Sequence, residues 1–390
     1  MKKFNKNAVL FALVMLFLVY GLCSGELVHQ LYGSLKGLYA DLSDGEPKAL
    51  ENFTAKVDSA SNSLRYRSQL LDLNSAKENL AGTRVVFKEE TTVVKADSGS
   101  LLGSVQTFPT VQQQIDYSVN YILPLQRAAQ ENEAGFLFCG VTPKTAYQQL
   151  PPNYPSYDNE RYQLRLAAYE AAGVPSLDTQ AVFAQTPLAE DEIFFVTDHH
   201  WTPKAGFYVS AAICSELERR YGFSYDHSKA DLQNYQVETY ENWFLGSYGK
   251  KVGTFFADFR VDDFDVITPK FETDFVETLS YRPVPRTGSF EDTMLYREYL
   301  KKDYYGMNNY AAYSGGDFRL QTVTNTKNPD GAVIVVVRKS YACVITPFLA
   351  IHAGQLHVID DRDGSYPGGE KVDVPAYIAQ IKPDYVIVID

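Results

Sequence analysis

The chain has 390 residues, of which 45% are hydrophobic and 22% are charged, and this composition is typical of a folded globular protein rather than a disordered one. A chain of this length can bury one large core, or one core and a smaller appended region. The formal net charge of −12 argues against a nucleic-acid partner, because binding to a phosphate backbone depends on clustered Lys and Arg side chains.

Residues 1–25 are typical of a signal peptide or a membrane anchor. Lysines precede an uninterrupted apolar run from Ala8 to Cys23, and polar residues follow it. A basic flank before a single apolar run keeps the N-terminus in the cytoplasm, so we expect the rest of the chain to be extracytoplasmic. We predict a single-pass anchor helix in the cell membrane, because Cys23-Ser24-Gly25 is a poor cleavage site. Secretion after cleavage of a signal peptide is the alternative.

The remaining chain divides into two regions. Residues 26–82 are polar, with apolar residues at helical spacing, and are predicted to form a stalk or a packing pair of helices. Residues 83–390 are predicted to form an α/β domain, because strand and helix patterns alternate along them. After a strand hairpin or a pair of short strands over 83–96, the predicted elements are a helix over Thr110–Glu131, a strand over Gly135–Cys139, a helix over Asn159–Ala172, and strands over Val174–Leu177 and Ile193–Val196.

Two βαβ units are predicted at the end of the chain. Between them and the earlier elements, residues 224–330 contain few periodic runs and are interpreted as an insertion of short strands and loops at the mouth of the site. The alternation implies a parallel sheet with helices on both faces. The final elements are a strand over Val333–Val337, a helix over Tyr341–Ala353, a strand over Leu356–Ile359, a helix over Val374–Ile381 and a strand over Tyr385–Ile389.

A carboxylate and an imidazole stand two positions apart, at Asp198 and His200. In an extended segment such side chains point the same way, so Asp198 can hold one ring nitrogen of His200 and leave the other free as a base. Ser340 follows a predicted strand and precedes a predicted helix, as Asp198 and His200 do. If both strands are parallel members of one sheet, the three residues meet at one edge. Two plainer interpretations stay open, a helix cap for Ser340 and a structural pair for Asp198 and His200.

Metal binding and disulfides are not expected. The four cysteines are too few for a disulfide framework in a chain of this length, and no CxxC spacing occurs. His199 and His200 are the only local histidine cluster, and adjacent side chains on a strand face opposite ways, which suits a shared metal badly. His199 is interpreted as a supporting residue and Trp201 as a wall of the pocket.

The segment Thr197–Gly206, which contains Asp-His-His-Trp-Thr-Pro, resembles the signature of the bacterial DHHW protein family. That family is related to the SGNH-hydrolase-like domains of alginate O-acetyltransferases. The resemblance extends to the blocks Phe244–Ser247, Tyr313–Asp317, Ser340–Ala342, Pro347–Ala350 and Ile359–Arg362. It implies a flavodoxin-like, three-layer α/β/α fold of the SGNH-hydrolase type.

The resemblance also implies roles for individual residues. Carried over, Asp198 orients His200, which is the base, and Ser340 is the nucleophile. Substrate or oxyanion contacts are assigned to Gly315, Gly316, His199, Trp201 and Tyr341. Two positions depart from the family pattern, because Lys339 stands where an aspartate usually precedes the serine, and Asp317 ends a block that usually ends in asparagine. An ionised carboxylate cannot donate a hydrogen bond to an oxyanion.

The sequence therefore predicts an O-acetyltransferase that modifies a cell-envelope or secreted polysaccharide through a Ser-His-Asp triad. The predicted partners are the polysaccharide acceptor and, by the resemblance, a multi-span membrane O-acyltransferase as the acetyl donor. No metal or organic cofactor is expected. Two alternatives remain, a carbohydrate esterase with the same triad and a catalytically inactive polysaccharide-binding scaffold.

Overall fold

The computed structural model describes residues 25–43, 46, 48–61, 64–87, 91–364 and 367–390. The anchor predicted over residues 1–25 falls outside these residues, apart from its last position, and stays a prediction. Within the described ranges, no helix is both long enough and apolar enough to span a membrane.

The chain forms two compact units, of which the first ends at Lys77 and the second runs from Glu78 to Asp390. The region predicted as a stalk or a helix pair contains three helices, and α1 packs against α2. The α-helices are α1 (Gly25–Ser43), α2 (Ala49–Ser61), α3 (Arg67–Leu80), α4 (Gln112–Glu131), α5 (Asp158–Ala171), α6 (Thr179–Phe183), α7 (Glu190–Ile193), α8 (Pro203–Tyr221), α9 (Ser247–Val252), α10 (Phe290–Met294), α11 (Thr346–His352) and α12 (Val374–Ile381).

Eight strands of the second unit form one central sheet in the order β5-β4-β13-β11-β12-β10-β8-β9. The pairs from β5 to β12 are parallel, and those from β12 to β9 are antiparallel. The strands are β1 (Val85–Phe87), β2 (Thr92–Lys95), β3 (Leu101–Gly103), β4 (Gly135–Gly140), β5 (Ser176–Asp178), β6 (Tyr235–Phe244), β7 (Asp262–Pro269), β8 (Phe275–Leu279), β9 (Arg286–Gly288), β10 (Leu320–Asn325), β11 (Val333–Arg338), β12 (Gln355–Asp360) and β13 (Tyr385–Ile389).

Helices cover both faces of the parallel part of this sheet, as predicted. Successive strand side chains point to opposite faces, and along β11 the residues Ile334 and Val336 join one hydrophobic cluster whereas Val335 and Val337 join another. The first cluster includes apolar residues of α8 and α11, and the second includes those of α4 and α12. The continuous apolar run of β11 is therefore explained by burial on both sides.

Most of the predicted helices and strands are present, and the two βαβ units at the end of the chain are confirmed. The prediction of a strand over Ile193–Val196 was wrong, because Ile193 ends helix α7 and Phe194 makes only an isolated bridge to Trp201. The interpretation of residues 224–330 as an insertion at the site was incomplete, since β8, β9 and β10 extend the central sheet. Within this region, β6 and β7 form a separate antiparallel pair. Strands β1, β2 and β3 form a three-stranded sheet of their own.

Candidate active site

Three side chains form a continuous chain of hydrogen bonds at the carboxyl end of β11. Oδ1 of Asp198 lies 2.6 Å from Nδ1 of His200, and Nε2 of His200 lies 2.8 Å from Oγ of Ser340. Asp198 Oδ1 also accepts a hydrogen bond from the backbone N–H of His200, at 2.9 Å. The structure therefore brings together the three residues that the sequence predicted, in the order carboxylate, imidazole and hydroxyl.

The segment that carries Asp198 and His200 is a closed loop rather than the end of a sheet strand. Phe194 and Trp201 form an antiparallel bridge, and the N–H of Phe195 donates to the carbonyl of His200. This bridge turns the chain back on itself. The side chains of Asp198 and His200 therefore lie on the same side because the loop is closed, and not because the segment is an extended strand. The loop leads into α8, where the Thr202 hydroxyl accepts from the N–H of Ala205 as an N-cap.

Ser340 sits at the turn between β11 and a 3₁₀ helix over Ser340–Val344. The serine side chain is half-buried, and its backbone opens the 3₁₀ turn. The first N–H groups of a helical turn have no partner within it. Those of Ser340 and Tyr341 are therefore the nearest candidates for stabilising an oxyanion formed at Oγ of Ser340.

The carboxylate of Asp198 is held from its other side by the block at Phe244–Ser247. Its Oδ2 accepts a hydrogen bond from the backbone N–H of Ser247, at 2.5 Å. Burial opposes the ionisation of Asp198, but His200, His199 and this N–H outweigh it and hold the pKa of Asp198 well below its ordinary value. Gly246 is required for this approach, because a Cβ on that residue would lie 2.3 Å from Cβ of Asp198.

Aromatic rings enclose His200. The ring of Tyr310 stacks on the imidazole, with centroids 4.1 Å apart and an interplanar angle of 20°. The ring of Tyr341 lies 5.1 Å away, and its hydroxyl donates to the carbonyl of His199 at 2.7 Å. Tyr310 was missed by the sequence analysis, since only a contact between distant segments gives it a role.

His199 lies beside the triad, as predicted. Its Nδ1 is 3.1 Å from Oγ of Ser247 and 3.4 Å from Oδ1 of Asp198. Burial and the neighbouring His200 lower the pKa of His199 to about 4, against the effect of Asp198, so it is neutral near pH 7. His199 also lines the cavities beside Ser340.

The interpretation of Trp201 as a pocket wall was wrong. Its side chain is fully buried in the core, and it lines neither cavity at Ser340. The indole packs edge-on against Phe183 and Tyr341, with ring centroids 5.5 Å and 5.2 Å apart. Trp201 therefore packs against Tyr341 from the core and does not line the cavities at Ser340.

Gly315 and Gly316 form a tight turn, with φ of +75° and +89°. The N–H of Gly316 points to the carbonyl of Tyr313, and the carbonyl of Gly316 accepts from Arg338 at 2.8 Å. Both backbone polar groups of Gly316 therefore bind the protein itself. Gly316 still lines a cavity that contains Ser340.

The two departures from the family pattern are ion-paired. Oδ1 of Asp317 lies 2.8 Å from the buried Arg338 and 3.0 Å from Arg362. Burial raises the pKa of Asp317, but the two guanidinium groups outweigh it and lower the pKa below its ordinary value. Lys339 pairs with Asp390, with Nζ 2.5 Å from Oδ1. These ion pairs do not involve His200 or Oγ of Ser340, which bind each other.

Ser340 lies between two cavities. One, of about 320 Å³, is lined by Thr142, Tyr248 and Lys339 among others. The other, of about 410 Å³, is lined by Lys250, Asn308, Tyr310, Gly316 and Asp317 among others. Ser340 therefore borders both cavities.

The expectation that adjacent histidines face opposite ways was wrong here, because they do not lie on a strand. Their ring centroids are 3.8 Å apart, and ligand atoms of Asp198, His199 and His200 all lie within 4.8 Å of one another. Both ring nitrogens of His200 already make hydrogen bonds, to Asp198 and Ser340. The residues present therefore suit proton transfer better than metal ligation.

Comparison with known proteins agrees with the largely parallel α/β architecture. Residues 112–247 match a family model described as the SGNH hydrolase-like domain of the acetyltransferase AlgX. Asp198 and His200 lie within that match, and Ser340 lies beyond it. No match is found among curated proteins.

Solved structures show the same fold. A DHHW family protein from Eubacterium siraeum aligns with a TM-score of 0.55 at 18% identity, over 78% of this chain and 91% of that chain. PatB1 from Bacillus cereus aligns with a TM-score of 0.60 at 19% identity, over 77% of this chain and 95% of that chain. The structure of Bacillus cereus PatB1 with a sulfonyl adduct aligns with a TM-score of 0.59 at 19% identity, over 76% of this chain and 94% of that chain. The resemblance to the DHHW proteins and to the SGNH-hydrolase-like domains of alginate O-acetyltransferases is confirmed.

Proposed function

We propose that this protein is an O-acetyltransferase that acts on a cell-envelope or secreted polysaccharide. One observation carries the proposal, the 2.8 Å contact between Nε2 of His200 and Oγ of Ser340, with Asp198 on the opposite ring nitrogen. A hydroxyl in this position can lose its proton to the imidazole as it attacks a carbonyl carbon. The match to an acetyltransferase family model supports the choice of acyl group.

The reaction has two half-reactions. Oγ of Ser340 attacks the acetyl carbonyl of the donor, and its proton moves to Nε2 of His200. The tetrahedral intermediate collapses, the donor oxygen leaves with that proton, and the acetyl group remains as an ester on Ser340. A sugar hydroxyl then attacks the ester, with its proton passing through Nε2 of His200 to the departing Oγ of Ser340. Asp198 holds the imidazole tautomer and stabilises the imidazolium.

The oxyanion is proposed to bind at the start of the 3₁₀ helix, to the N–H groups of Ser340 and Tyr341. This assignment does not need an asparagine at position 317. The departures at Asp317 and Lys339 are compatible with an active site, because their ion pairs leave the hydrogen bonds of the triad intact. The tentative oxyanion role of Gly315 and Gly316 has less support, since the N–H of Gly316 faces Tyr313.

The acetyl donor is proposed to be presented by a multi-span membrane O-acyltransferase, and the domain is proposed to be extracytoplasmic and held by residues 1–25. Both proposals rest on the resemblance and on the basic, apolar N-terminal sequence. A reporter fused after Asp390 tests the second one. It is expected to be active only when exported, and activity in the cytoplasm would contradict the proposed location.

An assay with an activated acetyl ester and an oligosaccharide acceptor tests the function and separates it from the esterase alternative. A transferase is expected to move the acetyl group to the sugar faster than it releases acetate. Release of acetate alone, at a rate that does not change with added acceptor, would identify an esterase. Absence of both reactions, with Ser340 inert to acylating reagents, would leave the inactive scaffold.

A further inference from the structure

Lys144 is a buried lysine with four backbone carbonyls around its ammonium group. The side chain is only 6% exposed. Its Nζ lies 2.8 Å from the carbonyl oxygen of Leu101, 2.6 Å from that of Phe195, 3.0 Å from that of Val196 and 2.8 Å from that of Asp198. Three of these carbonyls belong to the loop that carries the triad carboxylate.

A buried carboxylate holds the same loop by its N–H groups. Asp262 accepts hydrogen bonds from the N–H groups of Val196, at 2.5 Å, and Thr197, at 2.8 Å, and from the Thr197 hydroxyl. Residues 195–198 therefore have an ammonium bound to their carbonyls and a carboxylate bound to their amides. Backbone hydrogen bonds also hold this stretch, from the N–H of Leu101 to the carbonyl of Val196 and from the N–H groups of Tyr248 and Gly249 to the carbonyl of Thr197.

Burying an ammonium group costs free energy. An apolar side chain would fill the same space without that cost, so the charge at this position calls for another explanation. Burial lowers the pKa of Lys144 to about 7, whereas the facing carboxylates of Asp262 and Asp198 raise it. His199 is the other titratable group that interacts with it. The hydrogen bonds to the loop carbonyls offset only part of the cost of burial, and they link the charge of Lys144 to the loop conformation.

We propose that Lys144 is a positioning residue for acyl transfer: its ammonium fixes the backbone of residues 195–198 and so sets the placement of Asp198 against His200. This inference rests on the proposed function only for its activity readout. One of the carbonyls that Lys144 binds belongs to Asp198 itself. The ammonium therefore acts directly on the backbone of the residue whose carboxylate orients the base. Lys144 does not contact the reacting hydroxyl in any described hydrogen bond.

The test compares Lys144→Met and Lys144→Gln with a matched control. Lys95 is a second buried lysine, 8% exposed, whose Nζ binds Asn79 and Asp258 and does not contact the loop. Lys95→Met therefore removes a comparable buried charge from elsewhere in the same unit. Thermal melts and kcat and KM for an activated acetyl ester are measured on all variants, at a temperature where each is folded.

Lys144→Met is expected to lower kcat on the order of 10²-fold, with little change in KM, because a displaced orienting group weakens the chemical step rather than binding. Lys144→Gln keeps two hydrogen-bond donors and lacks the charge, so its kcat is expected to lie between those of Lys144→Met and the wild type. This variant carries the test if Lys144→Met does not fold. Lys95→Met is expected to lose stability and keep kcat. Wild-type kcat in folded Lys144→Gln, or equal losses of kcat in the Lys144 and Lys95 variants, would overturn the proposal.

A spectroscopic readout separates this inference from the proposed function. The Nδ1 proton of His200, shared with Asp198 at 2.6 Å, is expected to give a low-field proton resonance that His200→Gln abolishes. Lys144→Gln is expected to shift or remove this resonance, and Lys95→Met to leave it unchanged. A wild type with the resonance and no acetyl transfer would reject the function while the Lys144 comparison still holds. An unchanged resonance in folded Lys144→Gln would reject the positioning role.

Discussion

The hydroxyl oxygen of Ser340 lies 2.8 Å from Nε2 of His200, although 140 residues separate the two in the chain. Two structural features produce this contact. Strand β11 carries Ser340 to the edge of the parallel sheet, and the closed loop between Phe194 and Trp201 presents His200 to the same edge. The proposed acyl transfer depends on this contact and on the carboxylate behind it.

Asp198→Asn is expected to keep the fold and to lower kcat on the order of 10⁴-fold, as loss of the orienting carboxylate does in other serine enzymes. The asparagine amide fits the space but cannot stabilise an imidazolium or fix the same tautomer. Acetyl-ester turnover and thermal melting of the same preparation check this.

Adding Ser340→Ala to Asp198→Asn is expected to change kcat little further, because residues that act as one unit are non-additive. If Asp198 only braces its loop, the loss of activity will follow the loss of folded protein. Full activity in folded Asp198→Asn would remove the carboxylate from the mechanism.

Gly246→Ala is expected to lower kcat on the order of 10²-fold by displacing a carboxylate that must be held closely. The new Cβ would lie 2.3 Å from Cβ and 2.7 Å from Oδ2 of Asp198, so one of the two segments must move. Gly33→Ala is the matched control, because no heavy atom lies within 4 Å of its Cβ position in helix α1. Kinetics of both variants decide the point, and equal activities would show that the close approach at Gly246 has no catalytic consequence.

Local patterns in the sequence indicated the triad residues as candidates, and the resemblance to the DHHW family implied their roles. Asp198 and His200 stand two apart before the Thr202 cap, and Ser340 follows the apolar run of β11. The three residues were expected to meet because two parallel strands carry them. This holds for Ser340, which follows β11, but Asp198 and His200 lie on a loop. Four consecutive apolar residues over 193–196 predict a strand, but a buried loop is equally apolar, and periodicity cannot separate them.

Other parts of the site could not be predicted, because they depend on contacts between distant segments. Nothing in the sequence around Lys144 indicates that its ammonium binds the carbonyl of Asp198, and the stacking of Tyr310 on His200 is equally invisible. Trp201 was misplaced for the same reason. Its neighbours in the chain are polar site residues, whereas its indole packs into the core.

Asp317→Asn restores the family's asparagine and is expected to destabilise the fold without raising kcat. The carboxylate neutralises Arg338, whose side chain is 1% exposed, and its loss leaves that charge with fewer partners. Because Asp317 itself is 36% exposed, solvent screening limits the expected loss to about 1–2 kcal/mol.

Asp363→Asn is the control for this change, since Asp363 is exposed and, among the described residues, pairs with the half-exposed Lys371. Its melting temperature is expected to match that of the wild type. A stable Asp317→Asn variant with higher kcat would show that the aspartate impairs an oxyanion site.

The stability difference between wild type and Asp262→Asn is expected to depend on pH. Burial raises the pKa of Asp262 from 3.8 to about 6, against the hydrogen bonds from Thr197 and Val196 and the charge of Lys144. Between these values the folded protein keeps a proton that the unfolded chain has lost, so wild-type stability falls as the pH rises from about 4 to 6. The shift corresponds to about 3 kcal/mol.

The variant does not titrate at this position, so the melting temperature of the wild type relative to Asp262→Asn should decrease over that range and then level off. Melts at closely spaced pH values measure it. A difference that is constant, or that grows with pH, would show that the carboxylate is ionised throughout the range.

Acylation of Ser340, followed by intact-mass spectrometry, tests the central claim most directly. The wild type, incubated with an activated acetyl ester, should gain one acetyl group on the peptide that contains Ser340, and added oligosaccharide should remove it. Ser340→Ala, with unchanged melting behaviour, should gain none, and His200→Gln should gain it far more slowly. Acetylation of folded Ser340→Ala at the wild-type rate, or a wild type that is never acetylated at Ser340, would contradict the account.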